Sequence, residues 1–536
     1  MKRIYPIGLA VLSGLLLSAS WPVNGFTPLI FVAFVPLLFL QDAVGEMQKQ
    51  HKYSNIFLLS FLSFFIWNAL TTWWIWNSTS IGSIAAFMLN ALLMATVFWL
   101  FHFTKTHLQN NNNGNLILVF FLMSFEYLHL HWDLNWPWLN LGNVFAAHHT
   151  WIQWYEYTGV AGGTLWILVV NLLVFSTIKS ALNWRKDKKK ISVLIAILLA
   201  AIFIPIVYSK QLYKDVKDEG KDVEIVVVQP NFDPFNEQFQ LPSNVIIDRN
   251  LELAESLVTT KTRFVIGPES AIQEAIWIPD AAYFPSIRAI KKFIEHHPQV
   301  AYVIGASTFG PVPNGSENDF EVRKMNDNEY YYAYNTAFMV DSVEIKHYNK
   351  KRFTPGVEMM PSWFFVRPLQ SLAIDLGGTV GSLKGDGTTD PFVFGAYRPA
   401  PLICYESVFG EFVTEFVRNG ANIIFIITND GWWGNTPGYR QHHAYAKLRA
   451  IETRRNIARS ANTGTSSFIN LRGDVLQQTN YWEPAALRQT IRTNETITFY
   501  VRYGDYLYRI AVFLMTMLFL VAFVNKLLKR KSIRLR

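Results

Sequence analysis

The sequence contains a single cysteine, Cys404, among its 536 residues. One thiol excludes an intramolecular disulfide and any zinc site built on paired cysteines. Charged residues are also scarce, at 16% of the chain, whereas apolar residues make up 51% and aromatic residues 15%. This composition excludes a row of ordinary soluble domains. The charged residues are concentrated between positions 209 and 509, so we expect a polar domain joined to a part that lies in lipid.

Long apolar segments dominate the first two hundred residues and recur near the end. A hydrocarbon core about 30 Å thick requires about 20 apolar residues in helical form. The eight segments that reach or approach this length lie at 4–20, 27–41, 55–76, 81–103, 115–131, 159–178, 191–208 and 510–525. The first resembles a secretory signal peptide, but a second apolar span follows closely, so we expect it to be retained as half of a hairpin.

Lysine and arginine alternate with these spans in a way that predicts the topology. Short loops rich in Lys and Arg tend to remain in the cytoplasm. Loops 21–26, 77–80 and 132–158 contain neither residue. The basic positions all fall on the opposite face: Lys2, Arg3, Lys49, Lys52, Lys105, the run 185–190, and the tail from Lys526 to Arg536. Both termini are therefore predicted in the cytoplasm and the polar domain in the periplasm. These basic loops account for the net charge of +8, and we expect no nucleic-acid partner.

Short β-branched runs alternate with amphipathic stretches of helical length between 222 and 508. This alternation is typical of an α/β domain. Strands are predicted at 223–228, 264–266, 302–304, 333–340, 401–403, 422–427 and 467–471, and helices at 243–258, 283–296, 408–418 and 440–459. Neither a phosphate-binding G-x-x-x-x-G-K-[ST] loop nor an H-E-x-x-H zinc motif occurs, so no cofactor or metal is predicted.

Three of the strand regions end in unusual polar residues: Glu269 after Gly267-Pro268, Lys350 after Tyr348-Asn349, and Cys404 after Leu402-Ile403. In α/β sheets the carboxyl ends of strands meet the functional crevice. A carboxylate can remove a thiol proton, a thiolate can attack a carbonyl, and an ammonium can stabilise the resulting oxyanion. In isolation, Cys404 could be a small core residue, Glu269 a helix cap and Lys350 a solvated charge. Their combination in this order favours an acyl-transfer site.

At these positions the sequence resembles the nitrilase superfamily, whose Glu-Lys-Cys triad follows the same chain order, and within it the apolipoprotein N-acyltransferase family. The resemblance spans nearly the whole chain and includes the segments 428–434 and 459–464. The family's Val-Pro-Phe-Gly-Glu segment appears as Thr354-Pro355-Gly356-Val357-Glu358, which keeps the spacing to the glutamate but loses the Phe-Gly pair. Gly431 and Trp433 stand where the family commonly has Ala and Phe.

The resemblance implies an α-helical membrane bundle of about eight transmembrane helices, plus an extracytoplasmic α/β nitrilase-like domain built as an α-β-β-α sandwich. The expected parts are 1–208 (seven spans), 209–509 (periplasmic catalytic domain) and 510–536 (eighth span and basic tail). The implied site residues are Glu269, Lys350 and Cys404 as the catalytic triad, Glu358, Tyr405 and Glu406 as supporting residues, and Trp432 and Trp433 as substrate-binding candidates.

The implied reaction is a ping-pong acyl transfer through a Cys404 thioester. The donor is a membrane phospholipid, and the acceptor is the N-terminal amine of a diacylated apolipoprotein. No metal or cofactor is implied, and we expect a monomer in the inner membrane. Two alternatives remain open: a membrane-tethered amidase or hydrolase, which would release the acyl group to water, and a transporter with an accessory domain. Few charges in the bundle and no paired broken helices weigh against the transporter.

Several other polar residues have less specific interpretations. Glu126 lies within the fifth predicted span, where an ionisable group is a functional candidate, although a hydrogen-bonding role inside the bundle is favoured. The adjacent His442 and His443 are expected to be structural. The basic residues of the helix predicted at 440–459 are expected to form a solvated or packing face: Arg440, Lys447, Arg449, Arg454 and Arg455.

Overall fold

A computed structural model of the chain describes residues 4–50, 55–108, 114–182, 184–316, 319–326, 329–359 and 382–534. Of the basic positions that carry the topology prediction, Lys2, Arg3, Lys52 and Arg536 lie outside the described residues.

The first part of the chain forms a bundle of apolar helices. They are α1 (Ile4–Ala19), α2 (Val35–Lys49), α3 (Ile56–Thr72), α4 (Ser80–His107), α5 (Ile117–His131), α6 (Tyr155–Ala181) and α7 (Trp184–Asp215). A 3-10 turn at Thr27–Phe31 extends α2, and another at Trp73–Asn77 joins α3 to α4.

The domain that follows contains thirteen strands among the described residues. These are β1 (Asp222–Gln229), β2 (Thr262–Ile266), β3 (Ile272–Trp277), β4 (Ala301–Pro311), β5 (Arg323–Asn326), β6 (Glu329–Val340), β7 (Ile345–Asn349), β8 (Pro399–Ile403), β9 (Ile423–Thr428), β10 (Ile457–Ala461), β11 (Ser467–Ile469), β12 (Val475–Gln478) and β13 (Ala485–Arg492). Its helices are α8 (Ser243–Glu255), α9 (Pro285–His296), α10 (Gly410–Arg418), α11 (Pro437–Thr453) and α12 (Phe499–Tyr503), and α13 (Tyr506–Arg534) then returns to the bundle.

Each of the eight predicted spans coincides with an apolar helix. Seven helical segments among the described residues are long and apolar enough to cross a membrane, and α1 is a shorter apolar helix. The prediction of a multi-pass α-helical bundle is therefore confirmed. Glu126 on α5 lies inside the bundle, where it accepts hydrogen bonds from Leu141 N at 2.6 Å, Thr164 Oγ1 at 2.7 Å and Tyr508 OH at 2.7 Å. It joins α5 to α6 and α13, as the hydrogen-bonding interpretation expected.

The polar domain consists of two sheets packed face to face. The eight-stranded sheet has the order β13-β1-β2-β4-β6-β5, with β3 paired to β4 and β7 to β6, and the five-stranded sheet has the order β12-β11-β10-β9-β8. Phe264 on β2 and Phe425 on β9 meet between the sheets with ring centroids 5.0 Å apart. Apolar residues on the other face of the large sheet pack with α8 and α9, while α10 and α11 pack with the small sheet. This arrangement confirms the predicted α-β-β-α sandwich.

The seven predicted strands all occur, but the helix predicted at 440–459 was wrong at its C-terminal end. Helix α11 ends at Thr453, because Arg454 adopts a left-handed backbone with φ of 51°. Residues 457–461 instead form β10, which pairs in parallel with β9. Pairing to a buried neighbouring strand overrides the local helical pattern there. The prediction also missed β3, β5, β12 and β13, and it included β7 only as a strand end at Lys350.

The domain contacts the end of the bundle through specific polar bonds. Asn77 Nδ2 donates to Trp433 O at 2.8 Å, and Ser78 Oγ donates to Trp432 O at 3.0 Å. Tyr405 OH donates to Asn135 O at 3.1 Å. The α3–α4 turn and the α5–α6 loop therefore lie directly against the part of the domain that carries Cys404.

Candidate active site

The fold brings the three predicted catalytic residues to one place. Glu269 follows β2, Lys350 directly follows β7, and Cys404 directly follows β8. The Lys350 Nζ lies 3.1 Å from Glu269 Oε1, and the Lys350 side chain is 1% exposed. The cleft thus forms where strands of both sheets end, which places a carboxylate, an ammonium and a thiol around a common space.

The loop that carries Glu269 depends on a glycine in the neighbouring strand. A Cβ atom at Gly305 on β4 would lie 2.6 Å from Glu269 Cα, so only glycine permits this close approach. The Glu269 carboxylate is then held by two donors besides Lys350. Asn335 Nδ2 lies 2.8 Å from Oε1, and Asn429 N lies 3.1 Å from Oε2.

Glu358 joins the same cluster despite the altered loop around it. Lys350 Nζ donates to Glu358 Oε1 at 2.7 Å, and Thr354 N donates to Oε2 at 2.9 Å. Gly356 turns the loop with a positive φ of 80°, and its N–H donates to Met359 O at 2.8 Å. Glu358 therefore reaches Lys350 without the Phe-Gly pair that the family has at this point.

Asn335 was not predicted as a site residue. Its Nδ2 contacts both Glu269 Oε1 at 2.8 Å and Glu358 Oε1 at 3.2 Å, so it holds the two carboxylates together. The available signal was the amide side chain, next to Thr336, within the largely apolar and aromatic buried part of β6.

The charges of the cleft set the resting protonation of the thiol. Burial disfavours the ammonium of Lys350, but Glu269 and Glu358 outweigh burial and raise its pKa. Burial and then the Glu269 carboxylate raise the pKa of Cys404 well above its usual value, with Lys350 opposing them. Cys404 therefore rests as a thiol and requires a base to become a nucleophile. Of the two carboxylates that raise the pKa of this thiol, Glu269 has a larger effect than Asp430.

Glu406 fixes the turn that presents Cys404. Cys404 has a left-handed backbone with φ of 50° and begins a 3-10 turn that ends at Val408. Glu406 Oε2 accepts from Ile403 N at 2.8 Å, while Oε1 accepts from Lys351 N at 2.7 Å and Tyr348 OH at 2.7 Å. Burial raises the pKa of Glu406 to about 7 against these hydrogen bonds. Its carboxyl group ties the end of β8 to the end of β7, and hence Cys404 to Lys350.

The two tryptophans predicted to contact substrate lie in a 3-10 turn, Gly431–Trp433, after β9. The Trp433 ring packs on Trp74 of the α3–α4 turn, with centroids 4.9 Å apart. The Trp432 ring packs on Phe235 and Phe239, at 5.2 Å and 5.9 Å. Both tryptophans remain half-buried rather than fully covered. They form an aromatic rim between the domain and the bundle.

The basic residues predicted on the helix at 440–459 divide between packing and solvent. Arg449 on α11 is 1% exposed, and Arg454 and Arg455, just after its end, are 3% and 1% exposed, whereas Arg440 is exposed and Lys447 is half-buried. Arg449 Nη1 donates to Val408 O at 2.6 Å, at the end of the Cys404 turn. Arg454 Nε contacts Glu156 of α6 at 2.6 Å.

Comparison with known proteins matches both parts of this architecture. Residues 13–173 match the apolipoprotein N-acyltransferase N-terminal domain, and residues 238–498 match the carbon-nitrogen hydrolase family. The apolipoprotein N-acyltransferase of Chlorobaculum tepidum is 28% identical over 97% of this chain and 97% of its own length. Those of Geobacter metallireducens and Thermotoga maritima are 26% and 24% identical, over 93% and 96% of this chain and 91% and 93% of their own lengths.

The chain is thus a multi-pass membrane protein with a carbon-nitrogen hydrolase domain. The N-terminal domain match and the relatives aligned over nearly the whole length both name the apolipoprotein N-acyltransferase family. The chain belongs to the apolipoprotein N-acyltransferase family.

Proposed function

We propose that this protein transfers an acyl chain from a membrane phospholipid to the N-terminal amine of a diacylglyceryl-cysteine on an apolipoprotein, through a thioester on Cys404. The position of the cleft carries this proposal. Tyr405, next to Cys404, donates to Asn135 O of the α5–α6 loop at 3.1 Å, so the thiol lies beside one end of the helical bundle. Both proposed substrates are held in the bilayer by their acyl chains and would reach the cleft from it.

In the first half-reaction Glu269 takes the thiol proton, and Cys404 Sγ attacks the ester carbonyl carbon of the phospholipid. The ammonium of Lys350 stabilises the tetrahedral oxyanion. The carbon–oxygen ester bond then breaks, and Glu269 returns the proton to the departing glycerol oxygen. The products are a lysophospholipid and an acyl thioester on Cys404.

In the second half-reaction the amine of the lipoprotein attacks the thioester carbonyl. Glu269 removes a proton from the attacking nitrogen, the carbon–sulfur bond breaks, and the proton returns to the Cys404 sulfur. An amide is formed and the free thiol is restored. In this scheme Glu358 and Asn335 orient Lys350 and Glu269, and Glu406 and Tyr405 hold the Cys404 turn in place.

The test of this function uses purified enzyme in detergent, a phospholipid labelled in its acyl chains, and a synthetic diacylated lipopeptide. We expect label in amide linkage on the lipopeptide N-terminus, with an equimolar amount of lysophospholipid. Label released as free fatty acid at the same rate with and without lipopeptide would instead identify a membrane-tethered hydrolase.

We also propose the division into a bundle at 1–208, a catalytic domain at 209–509 in the periplasm, and a span with a cytoplasmic tail at 510–536. The alternation of Lys- and Arg-rich loops supports this orientation. A reporter fused after Arg536 should then behave as cytoplasmic, and a reporter inserted in loop 132–158 as periplasmic. Opposite behaviour of either reporter contradicts the orientation.

We propose that the aromatic rim of Trp432 and Trp433 contacts acyl chains and keeps water from the thioester. Replacing both residues by Ala should raise hydrolysis of the thioester relative to transfer, or weaken lipid loading. Alkylation of Cys404 by a small reagent should persist. The partition is measured as the ratio of free fatty acid to acylated lipopeptide. An unchanged ratio and unchanged loading would leave the rim with a packing role only.

A further inference from the structure

A second group of charged side chains lies behind Cys404, separate from Glu269 and Lys350. Asp430 follows β9, His442 is on α11, and Arg459 is on β10. Asp430 Oδ1 lies 2.9 Å from His442 Nδ1, and Asp430 Oδ2 lies 2.6 Å from Arg459 Nη2. All three side chains are 1% exposed or less. We call these three residues the rear array.

The rear array contacts the backbone of the strained turn. His442 Nε2 lies 3.1 Å from Ser407 Oγ and 3.3 Å from Cys404 O, and Ser407 Oγ donates to Cys404 O at 2.7 Å. Because Cys404 has a positive φ of 50°, its conformation must be held by its surroundings. His442 Nε2 and Ser407 Oγ thus both lie at hydrogen-bonding distance from the carbonyl of the nucleophile and fix its position.

Both ring nitrogens of His442 have hydrogen-bond partners other than the thiol. The Nε2 lies near Ser407 Oγ and the Cys404 carbonyl, and the Nδ1 lies near Asp430 Oδ1 and Arg459 Nη2. The thiol proton is therefore assigned to Glu269. The rear array therefore acts on Cys404 through position and charge rather than through proton transfer.

The charge of Asp430 matters because it is close to the sulfur. The Cys404 Sγ, a carboxylate oxygen of Asp430 and a ring nitrogen of His442 all lie within 4.8 Å of one another. A carboxylate this near disfavours a thiolate. The Arg459 guanidinium contacts the other carboxylate oxygen of Asp430. Burial acts to raise the pKa of Asp430, but Arg459 and His442 outweigh burial and lower this pKa. Asp430 therefore stays ionised, and the positive charge of Arg459 offsets its repulsion of a thiolate at Cys404.

We propose that the rear array is a positioning and charge-compensating device for the nucleophile: His442 holds the Cys404 carbonyl, and Arg459 neutralises Asp430 so that the thiolate can form. The proposal rests on Cys404 being the nucleophile of the proposed transfer. The groups that face the thiol are Glu269 from the loop after β2, Lys350 from the end of β7, Thr428 at the end of β9, Asp430 after β9, and His442 of α11.

The test measures how fast iodoacetamide alkylates Cys404 as a function of pH in the full-length enzyme. Because the chain has one cysteine, the modification reports on this thiol alone. Arg459→Met leaves Asp430 uncompensated, so the midpoint of the alkylation profile should rise by about one pH unit, which is about a tenfold slower reaction at a fixed lower pH. Asp430→Asn removes the nearby carboxylate, so its midpoint should fall below that of the wild type.

The double variant Arg459→Met/Asp430→Asn is the matched control. It loses both charges of the ion pair, so neither charge is left uncompensated. Its midpoint should return toward the wild-type value. Loosening of the turn would move the alkylation midpoints of Arg459→Met and Asp430→Asn in the same direction, because it does not depend on the sign of the charge removed. Midpoints that move in the same direction, or that do not move in the folded variants, would overturn the proposal. If Arg459→Met does not fold, the downward shift of Asp430→Asn decides alone.

The positioning role of His442 is tested separately. His442→Gln keeps an amide donor for Ser407 and the Cys404 carbonyl, whereas His442→Ala removes it. Acylation by phospholipid should slow about tenfold or more in the Ala variant, with an unchanged KM, and the Gln variant should recover part of the rate. Equal rates in both variants contradict the role. Because alkylation and acyl transfer are measured independently, failure of this proposal is distinguishable from failure of the transfer function.

Discussion

Replacing Lys350 by Met should slow acylation of the enzyme by phospholipid about a hundredfold to a thousandfold, the usual loss when one oxyanion donor is removed, or about 2.7 to 4 kcal/mol in the barrier. The ammonium is fully buried and held by Glu269 at 3.1 Å and Glu358 at 2.7 Å, so no solvent cation can replace it. Phospholipid binding should be retained. The rate of lysophospholipid release in a single turnover measures the effect.

The adjacent Lys351 provides the matched control. Its side chain is half-buried rather than enclosed, so Lys351→Met should lose far less activity. Thermal unfolding must be measured in parallel, because Lys350→Met leaves two buried carboxylates without their cation. Equal losses at both positions in folded protein would mean that the lysine pair acts through general electrostatics rather than through one aimed donor.

Replacing Glu269 by Gln should impair both half-reactions, by about a hundredfold to ten-thousandfold, because the same carboxylate carries a proton in each. Glutamine has nearly the same shape, and its single amide oxygen keeps one of the two contacts, either that from Asn335 Nδ2 or that from Asn429 N. The loss is therefore assigned to proton transfer rather than to packing. Lysophospholipid release measures the first step, and consumption of the accumulated thioester by lipopeptide measures the second.

A comparison with Glu358→Gln sharpens this result. Glu358 contacts Lys350 at 2.7 Å, and in the proposed mechanism it orients that ammonium without accepting a substrate proton. Glu358→Gln should therefore lose less activity in both steps than Glu269→Gln. If Glu269→Gln slows only one of the two steps, a single shared proton carrier is the wrong description.

The sequence was sufficient to predict β2 and β8, two of the three strands that position the cleft. Apart from Glu224 and Asn422, the runs at 223–228, 401–403 and 422–427 are apolar, so their strand character is clear from the residues alone. The three catalytic candidates, Glu269, Lys350 and Cys404, could also be identified from the sequence, because each directly follows a strand or the turn that ends it.

Contacts between distant segments were not predictable from the sequence. Asn335 lies on a strand far in the chain from Glu269, and nothing local indicates that it bridges two carboxylates. The same holds for Arg459 and His442, whose shared partner Asp430 becomes visible only when β9, β10 and α11 pack together. Strand β7 has the polar sequence Ile-Lys-His-Tyr-Asn and is defined by pairing to β6 rather than by apolar alternation.

The most direct test of the acyl-transfer account is the intact mass of purified enzyme incubated with phospholipid and then with a diacylated lipopeptide. We predict a mass increase of one acyl chain, located on Cys404 and sensitive to hydroxylamine, that is stable in the absence of lipopeptide and disappears when lipopeptide becomes acylated. Cys404→Ala should show no such increase. Normal acylation of Cys404→Ala, or a wild-type thioester that decays as fast without lipopeptide as with it, would contradict the account.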